Sequence, residues 1–564
     1  MVARLREVVP LGLVLLLAAA VFLPGIDWGL PSHDVDRFLF GNRPVWSGAK
    51  IYSLAGGWNA DAAIGADVAR HPLAHGSHPK LVNGDDVDRA RIVTRYRLYS
   101  DQPDEMITFR ALSGIDVRHG KLDPKLYQYG GEWIYGVGGL LMIAKALGLI
   151  TIRHDVAFYL DHPEAFGRFY VVARVYAAIG GLLLVSAVYG ATRRFATRSP
   201  WLAAAAAAAV ALMPVVINSA HEAKPHLPGA ALVVLAVWAG CEYARSGRRE
   251  MLLIAGALCG AAMGMVLWAA PVFVVLPTAV MLRENPAAAR RRGALQNIGA
   301  AIAVGVGVYA ITNPYVLIHL LHNPAVLRSN LQNTSAMYGV HSAEGAMENA
   351  AMLIVAGMSP VLAGAGVLGT MALGIRLLRK RSGGFAAAWR GGGAGTLLAI
   401  VAVIMAIPYV ALAAGKPGEY GRFALVPDVA LALAAVMAIE AFGGRGKLVL
   451  SVLLLLFTGV FGANYTGTFV RDAGPDSSRL LAAEHLRGLP GDRMAIAAEP
   501  APYCLPPVDL FRWKLLLVRP WDQPEADRIA DISCRAVDYD PRAGAWIFAT
   551  PLSWAAKPLL IAKR

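Results

Sequence analysis

The sequence predicts an all-α polytopic membrane protein of about eleven transmembrane helices, with a long first outer loop and a small C-terminal α/β domain. Three observations lead there. Of 564 residues, 56% are hydrophobic and only 16% charged, with a mean hydropathy of +0.48, a balance that a water-soluble core of this size does not hold. Apolar runs of about 17 to 25 residues, the length that crosses the hydrocarbon layer as a helix, recur from Pro10 to near Gly462. Basic residues cluster in short links between these runs, whereas 29 of the 39 acids fall in two stretches, 25–170 and 471–564. The net charge of +14 therefore marks positive-inside links and not a nucleic-acid surface.

Arg4 and Arg6 precede the first span, Leu11 to Leu23, which puts the N-terminus inside and residues 25 to about 170 outside. No small-x-small cleavage site precedes Pro24-Gly25, so this span reads as a retained anchor. The loop after it is long enough to carry function. Within that loop Gly131 to Ile150 is apolar, but a crossing there would put the acid-rich segment 151–167 inside and invert every later link; it reads as a helix along the outer surface.

The second span, 171–192, ends at Arg193, Arg194 and Arg198, and the third rises through the Ala-rich run at 201–218 to emerge at His221-Glu-Ala-Lys-Pro-His226. The fourth returns to Arg245, Arg248 and Arg249. Residues 251–282, broken at Pro271, read as two short helices that go out and back, to Arg283. The seventh span, 296–312, exits at Thr312-Asn-Pro-Tyr315, and the eighth ends at Arg376, Arg379, Lys380 and Arg381. The ninth, 395–414, exits at Lys416 to Arg422, the tenth descends to Arg445 and Lys447, and the eleventh climbs to about Asn464, leaving the C-terminus outside. This divides the chain into a membrane domain, 1–470, and a C-terminal domain, 471–564. The latter shows a helical pattern at 477–487 and strand-like runs at Met494–Ala498, Lys514–Val518 and Ala545–Thr550.

The chemistry centres on Gln102-Pro-Asp-Glu105. Pro103 suits the start of a helix, which displays Asp104 and Glu105 in its first turn, and Met106, Phe109, Leu112 and Ile115 then recur at helical spacing. A carboxylate near a membrane surface can act as general base on an acceptor hydroxyl. Asp34 and Asp36 stand nearer the first span and are the runner-up acids, together with Glu222. Asp85-Asp86-x-Asp88 resembles a hard-cation ligand set but lacks the spaced glycine and distal glutamate of a calcium loop, so a solvated loop is the reading preferred and divalent-cation use stays open. His221, Glu222, Lys224 and His226 crowd an outer membrane edge, where ionisable groups are functional candidates. Arg422 is a cation on the outer side, against the positive-inside tendency, and its paired donors match phosphate oxygens.

Together these features resemble the C-type fold of membrane glycosyltransferases (GT-C), in particular the bacterial relatives of protein O-mannosyltransferases and of the aminoarabinose transferase. The resemblance covers most of the membrane part. It rests on a single span followed by a long loop carrying Gln102-Pro-Asp-Glu105, on Tyr127-Gln-Tyr-Gly-Gly-Glu-Trp-Ile-Tyr135, on Arg168-Phe-Tyr-Val-Val-Ala-Arg174, on Thr312-Asn-Pro-Tyr315 and on Arg422-Phe-x-Leu-x-Pro427. It departs from the family where Gln128-Tyr-Gly-Gly replaces a common Lys-Pro, and where only Glu222 or His226 answers an acid at the third-span exit.

The resemblance implies a bacterial inner-membrane enzyme that moves a sugar from a polyprenyl-phosphate donor to a glycan, lipid or protein acceptor on the periplasmic face. Asp104 would be the base, with Glu105 as its neighbour in acceptor binding or orientation. Lys224, Arg422 and His221 would meet the donor phosphate. Two rivals remain: a lipid-linked saccharide transporter or flippase, which needs charge near its span centres, and a noncatalytic polymer-assembly subunit. Cys504 and Cys534, the two cysteines outside the membrane part, are the disulfide candidates in an oxidising periplasm.

Overall fold

The computed structural model describes residues 2–56, 80–283, 292–328, 343–379, 393–413, 418–440, 442, 444–497, 506–518, 528–536, 550–557 and 559–563. These residues form two compact units. The first comprises Met1–Leu23, Leu126–Gly136 and Ala177–Tyr465, and the second Pro24–Lys125, Val137–Tyr176 and Thr466–Arg564. Most of the segment between the first two expected spans thus folds with the C-terminal segment as one body, while Leu126–Gly136 belongs to the first unit.

Among the described residues five helices are long and apolar enough to cross a membrane: Pro163–Ala196, His226–Ser246, Gly293–Thr312, Gly421–Ile439 and Gly444–Asp472. Two bent helix pairs would bring the number to seven, and Val8–Phe22, Leu267–Arg283 and Ile400–Val410 are shorter apolar helices. Gly131–Ala146 has 16 residues, about 24 Å of helix, which is less than a hydrocarbon layer requires.

Two bends in the first unit have local causes. The third expected span is Pro200–Ala211 followed by Pro214–Ala220 at 64°. Pro214 begins the second piece, and Met213 before it is extended, as a residue preceding proline prefers. The eighth is two helices bent by 111°, and the joint is Ser359, at φ 89°, followed by Pro360. The Ser359 hydroxyl accepts from the Leu362 N–H at 3.4 Å and lies 3.2 Å from the Thr458 hydroxyl, so this joint is buried with its polar groups bonded.

In the expected pair at 251–282 the chain opens at Val266, five residues before Pro271, which sits inside a 3-10 turn, Leu267–Val274. The reason is a partner the local sequence does not reveal. Val266 pairs with Tyr129 as an isolated β-bridge, while Gly130 N–H donates to Met265 and Leu267 N–H to Gln128, both at 3.1 Å. Gly256 and Gly260, on Arg249–Met265, face the backbone at Ala301 and Gly305 on Arg292–Thr312, where a Cβ would collide. Small residues four apart let two apolar helices pack backbone to backbone.

The second unit holds a five-stranded sheet built from β1 (Lys80–Leu81), β2 (Arg493–Ala497), β3 (Lys514–Val518), β4 (Ile532–Ala536) and β5 (Leu559–Lys563), in the order β1-β3-β2-β4-β5. The β3-β2 and β2-β4 pairs are parallel, and both outer pairs are antiparallel. The runs expected near 494 and 514 are β2 and β3, and the helix expected at 477–487 is Ser478–Arg487, capped by Ser477. The run expected at Ala545–Thr550 lies outside the described residues except for Thr550. Cys504 also lies outside them, and Cys534 is a free thiol buried in β4 whose pKa burial pushes up to about 12.

β1 comes from the segment that follows the first apolar helix, and Asn83, just after it, fastens that segment to the C-terminal one. Its Nδ2 donates to the carbonyls of Leu510 (2.8 Å) and Trp513 (2.7 Å), and its Oδ1 accepts from Leu515 N–H at 2.9 Å. All three bonds are buried. Asn83→Ala strands these groups, so unfolding should become easier by about 2–4 kcal/mol. Thermal denaturation and proteolysis of the full chain check this, and a loss below about 0.5 kcal/mol would contradict the fastening role.

Candidate functional site

In the second unit, the Gln102–Glu105 stretch sits one step earlier than the sequence suggests. The helix is Met106–Ser113, with Met106 and Phe109 inward, and Glu105 is its N-cap residue but makes no side-chain cap bond. The expectation that both carboxylates are displayed is corrected at Glu105, which is completely buried. The cause is a counter-ion 69 residues away: Arg174 Nε donates to Glu105 Oε1 at 2.8 Å, and its Nη2 to Oε2 at 2.7 Å. Ser100 Oγ adds a third bond to Oε2 at 2.5 Å. Arg174 Nη1 is held by the carbonyls of Ile26 (2.9 Å) and Trp28 (2.7 Å), and the guanidinium lies over the Trp28 ring. Both charges of this buried pair are therefore hydrogen-bonded as well as paired, as charges taken out of water require.

Asp104 is half-buried, and its backbone N–H donates to the buried Gln102 Oε1 at 2.9 Å. Of the runner-up acids, Asp36 is tied to Arg97 at 2.8 Å and to His33 at 3.0 Å. Asp34 is exposed and lines a cleft of about 570 Å³ that Asp101, Asp472 and Arg479 also line. Burial raises the Asp101 carboxyl to about 6, against the pull of Arg479 at 3.4 Å. The Asp85–Asp88 cluster is spent locally: Asp85 caps the helix Asp86–Leu98, while Asp86 and Asp88 pair with Arg89 and Arg91. Among the described residues no three His, Cys, Asp or Glu side chains converge as a metal site.

In the first unit, His221, Glu222, Lys224, His226 and Arg422 are all buried. Glu222 accepts from Asn218 Nδ2 at 3.1 Å and pairs with Lys224 at 3.3 Å. His221 Nδ1 donates to the Ile217 carbonyl at 2.8 Å, which closes the helix Pro214–Ala220. The His226 ring stands edge-on to Tyr129, Trp268 and Phe423, with centroids 5.9, 6.5 and 5.4 Å away, and Arg422 lies over Phe423. Lys224 and Arg422 are both within electrostatic reach of His226. Two cations separated by 198 residues are thus brought to one aromatic-walled place.

Beside it, Gly131 N–H donates to Asn313 Oδ1 at 2.8 Å, and Glu132 shares a hydrogen bond with the Thr312 hydroxyl. Burial holds the Glu132 carboxyl near 7. Glu132 and Asp428 went unread in the sequence. Glu132 stands in the aromatic run already quoted, and Asp428, directly after Pro427, is fully buried with neither carboxylate oxygen hydrogen-bonded.

Neither a protein-family model nor a curated protein matches the chain. Among solved structures, it is similar to ArnT from Cupriavidus metallidurans bound to undecaprenyl phosphate, at 13% identity over 91% of this chain and 97% of that one, with a TM-score of 0.40. It is also similar to the oligosaccharyltransferase AglB from Archaeoglobus fulgidus in complex with an inhibitory peptide and a dolichol-phosphate, at 12% identity over 87% of this chain and 69% of that one, with a TM-score of 0.41. At such identities and scores the chemistry rests on this chain's own residues.

The Asp101 carboxyl has a definite pH signature. Its folded pKa, about 6, lies above the ordinary value of 3.8, so the fold favours the protonated form. The stability it contributes is complete below about pH 4 and declines as pH rises to about 6. That displacement is worth at most about 3 kcal/mol, and water reaching a side chain that is 27% exposed screens part of it. Asp101→Asn should flatten this decline when unfolding is followed from pH 4 to 6; an unchanged slope would assign it to other groups.

Proposed function

We propose that the chain is a membrane glycosyltransferase that moves a sugar from a polyprenyl-phosphate donor to an acceptor hydroxyl. The observation that carries this reading is the grouping of Lys224 and Arg422 about His226 inside a helical, apolar unit. Two buried cations in a lipid-facing body suit an anionic group that arrives with its own apolar tail. Asp104 takes the proton of the acceptor hydroxyl, whose oxygen attacks the anomeric carbon with inversion. The bond from that carbon to the phosphate oxygen breaks, and the polyprenyl phosphate leaves with its charge balanced by Lys224 and Arg422. His221 would meet the same phosphate through Nε2. Glu105, bound to Arg174, fixes the backbone that carries Asp104.

In this reading the chain spans a bacterial inner membrane about eleven times, N-terminus inside and C-terminus in the periplasm. A cysteine at the exposed position Asp476 should then react with an impermeant reagent in spheroplasts; labelling only after the inner face is opened would sink this orientation.

A second reading, transport of a lipid-linked saccharide, is favoured by one observation, the buried Asp428 in the span Gly421–Ile439. One assay separates the two. Membranes are given radiolabelled polyprenyl-phosphate sugars, and label reaching an acceptor is counted. Asp104→Asn keeps the shape but removes the proton acceptor and should lower turnover about 10²- to 10⁴-fold while donor binding persists. Arg422→Ala should weaken donor binding and turnover together. Parental transfer by Asp104→Asn, Asp34→Asn and Asp36→Asn alike would end the assignment of the base to these carboxylates, and no label reaching an acceptor in the unaltered protein would end the enzyme reading.

A further inference from the structure

The transfer reaction makes no use of Asp428. This residue is 0% exposed, and neither of its carboxylate oxygens has a hydrogen bond among the described residues. No charged side chain among those residues acts on it either. Tyr409 is within its electrostatic reach, but the tyrosine hydroxyl already donates to the Ala350 carbonyl at 2.8 Å. Buried ionisable groups are as a rule paired or hydrogen-bonded, and one that is neither calls for a partner.

What faces Asp428 is the end of another helix. Its Oδ2 lies against Gly357, where a Cβ would stand 2.8 Å away, so the close approach of the carboxylate requires a glycine. Gly357 is the next-to-last residue of the helix Ala343–Met358, which stops at the buried Ser359 and at Pro360. Pro360 brings no N–H to the Ala356 carbonyl, and the Leu362 N–H that would serve Met358 goes to Ser359 Oγ instead, at 3.4 Å. A helix end of this kind carries partial negative charge. Asp428 for its part stands in the first turn of Leu425–Ile439, where the helix dipole favours an ionised carboxylate. Two negative features of the fold therefore meet, with no described cationic side chain acting on the carboxylate.

We propose that one alkali-metal cation, sodium or potassium, is held here by the Asp428 carboxylate and by backbone carbonyls at the end of Ala343–Met358. The charge balance selects its valence. One carboxylate neutralises one positive charge, whereas a divalent ion would leave a net charge inside an apolar body. Among the described residues no three His, Cys, Asp or Glu side chains converge to offset a second charge. Carbonyls freed at a helix break suit a monovalent ion within a membrane. The ion pins Leu425–Ile439 to the bent joint at Ser359 and makes the stability of the first unit depend on it. The site rests on neither the transfer nor the transport reading.

The test uses the full chain in mild detergent, unfolded by heat at constant ionic strength in sodium, potassium or choline chloride. Choline is too large for a place enclosed by carboxylate and backbone, and so reports the effect of salt alone. The melting temperature should be higher in sodium or potassium than in choline, and above the dissociation constant it should rise by about 1–3 °C for each tenfold increase in the better ion. Asp428→Asn keeps the shape and removes the charge, so its melting temperature should be the same in all three salts. Asp428→Ser serves the same comparison if the asparagine variant does not fold. Asp476→Asn, at an exposed acid elsewhere, should keep the full response. Equal melting temperatures of the unaltered protein in the three salts would mean that a proton and not a metal ion neutralises Asp428, and would overturn the site. A response retained by Asp428→Asn, or lost in Asp476→Asn, would put the ion elsewhere and overturn it as well.

Discussion

The ion pair of Glu105 and Arg174 governs the second unit. Taking two charges fully out of water costs several kcal/mol per ion, and this is offset only when the geometry is good and the remaining donors and acceptors are bonded. Both conditions hold. The carboxylate accepts from two guanidinium nitrogens and a serine hydroxyl, while the guanidinium also reaches two backbone carbonyls at Ile26 and Trp28. Three segments distant in sequence are thereby held at fixed angles. Asp104, adjacent to the pair, inherits its place from a backbone that has little freedom to shift.

The first unit solves a different problem, because an apolar helical body tolerates irregular backbone only where its polar groups are bonded. At Val266 the helix opens, and the freed groups are taken up by Gln128, Tyr129 and Gly130. The same opening puts Trp268 beside His226 and Asn313 beside Gly131. Interrupted helices and buried ionisable side chains thus occur together. Tyr129 and Trp268, on the two segments that meet at the opening, are two of the aromatic walls around His226.

Much of this was legible in the residues, and what was not has a common cause. The spacing of Met106, Phe109 and Leu112 reports a local helix, and it is there. The apolar runs at 494 and 514 report strands that lie inside the sheet, between neighbours on both sides. β1, at two residues, is too short to leave a pattern, and β4, reading Ile-Ser-Cys-Arg-Ala, mixes its signals. Glu105 reads as a displayed acid because nothing near it in sequence announces Arg174, although Arg174 itself stood in a quoted motif. The opening at Val266 was assigned to Pro271 for the same reason. Local secondary structure is what the residues report, and the differences come from partners a hundred or more residues away or, at Glu105, from one on another element.

The closure of the sheet by β1 sets an order on the making of this protein. Asn83 and the carbonyl it grips at Leu510 are 427 residues apart. At ordinary rates of synthesis the early loop waits roughly 20–90 s for the strand it must join. During that interval the helical segments between them are made one after another, and β1 stays without the strand it pairs with. Contacts of such long range form slowly and leave intermediates exposed. A chain released before its last fifth would therefore lack β2 to β5 and leave β1 with an open edge where β3 should lie.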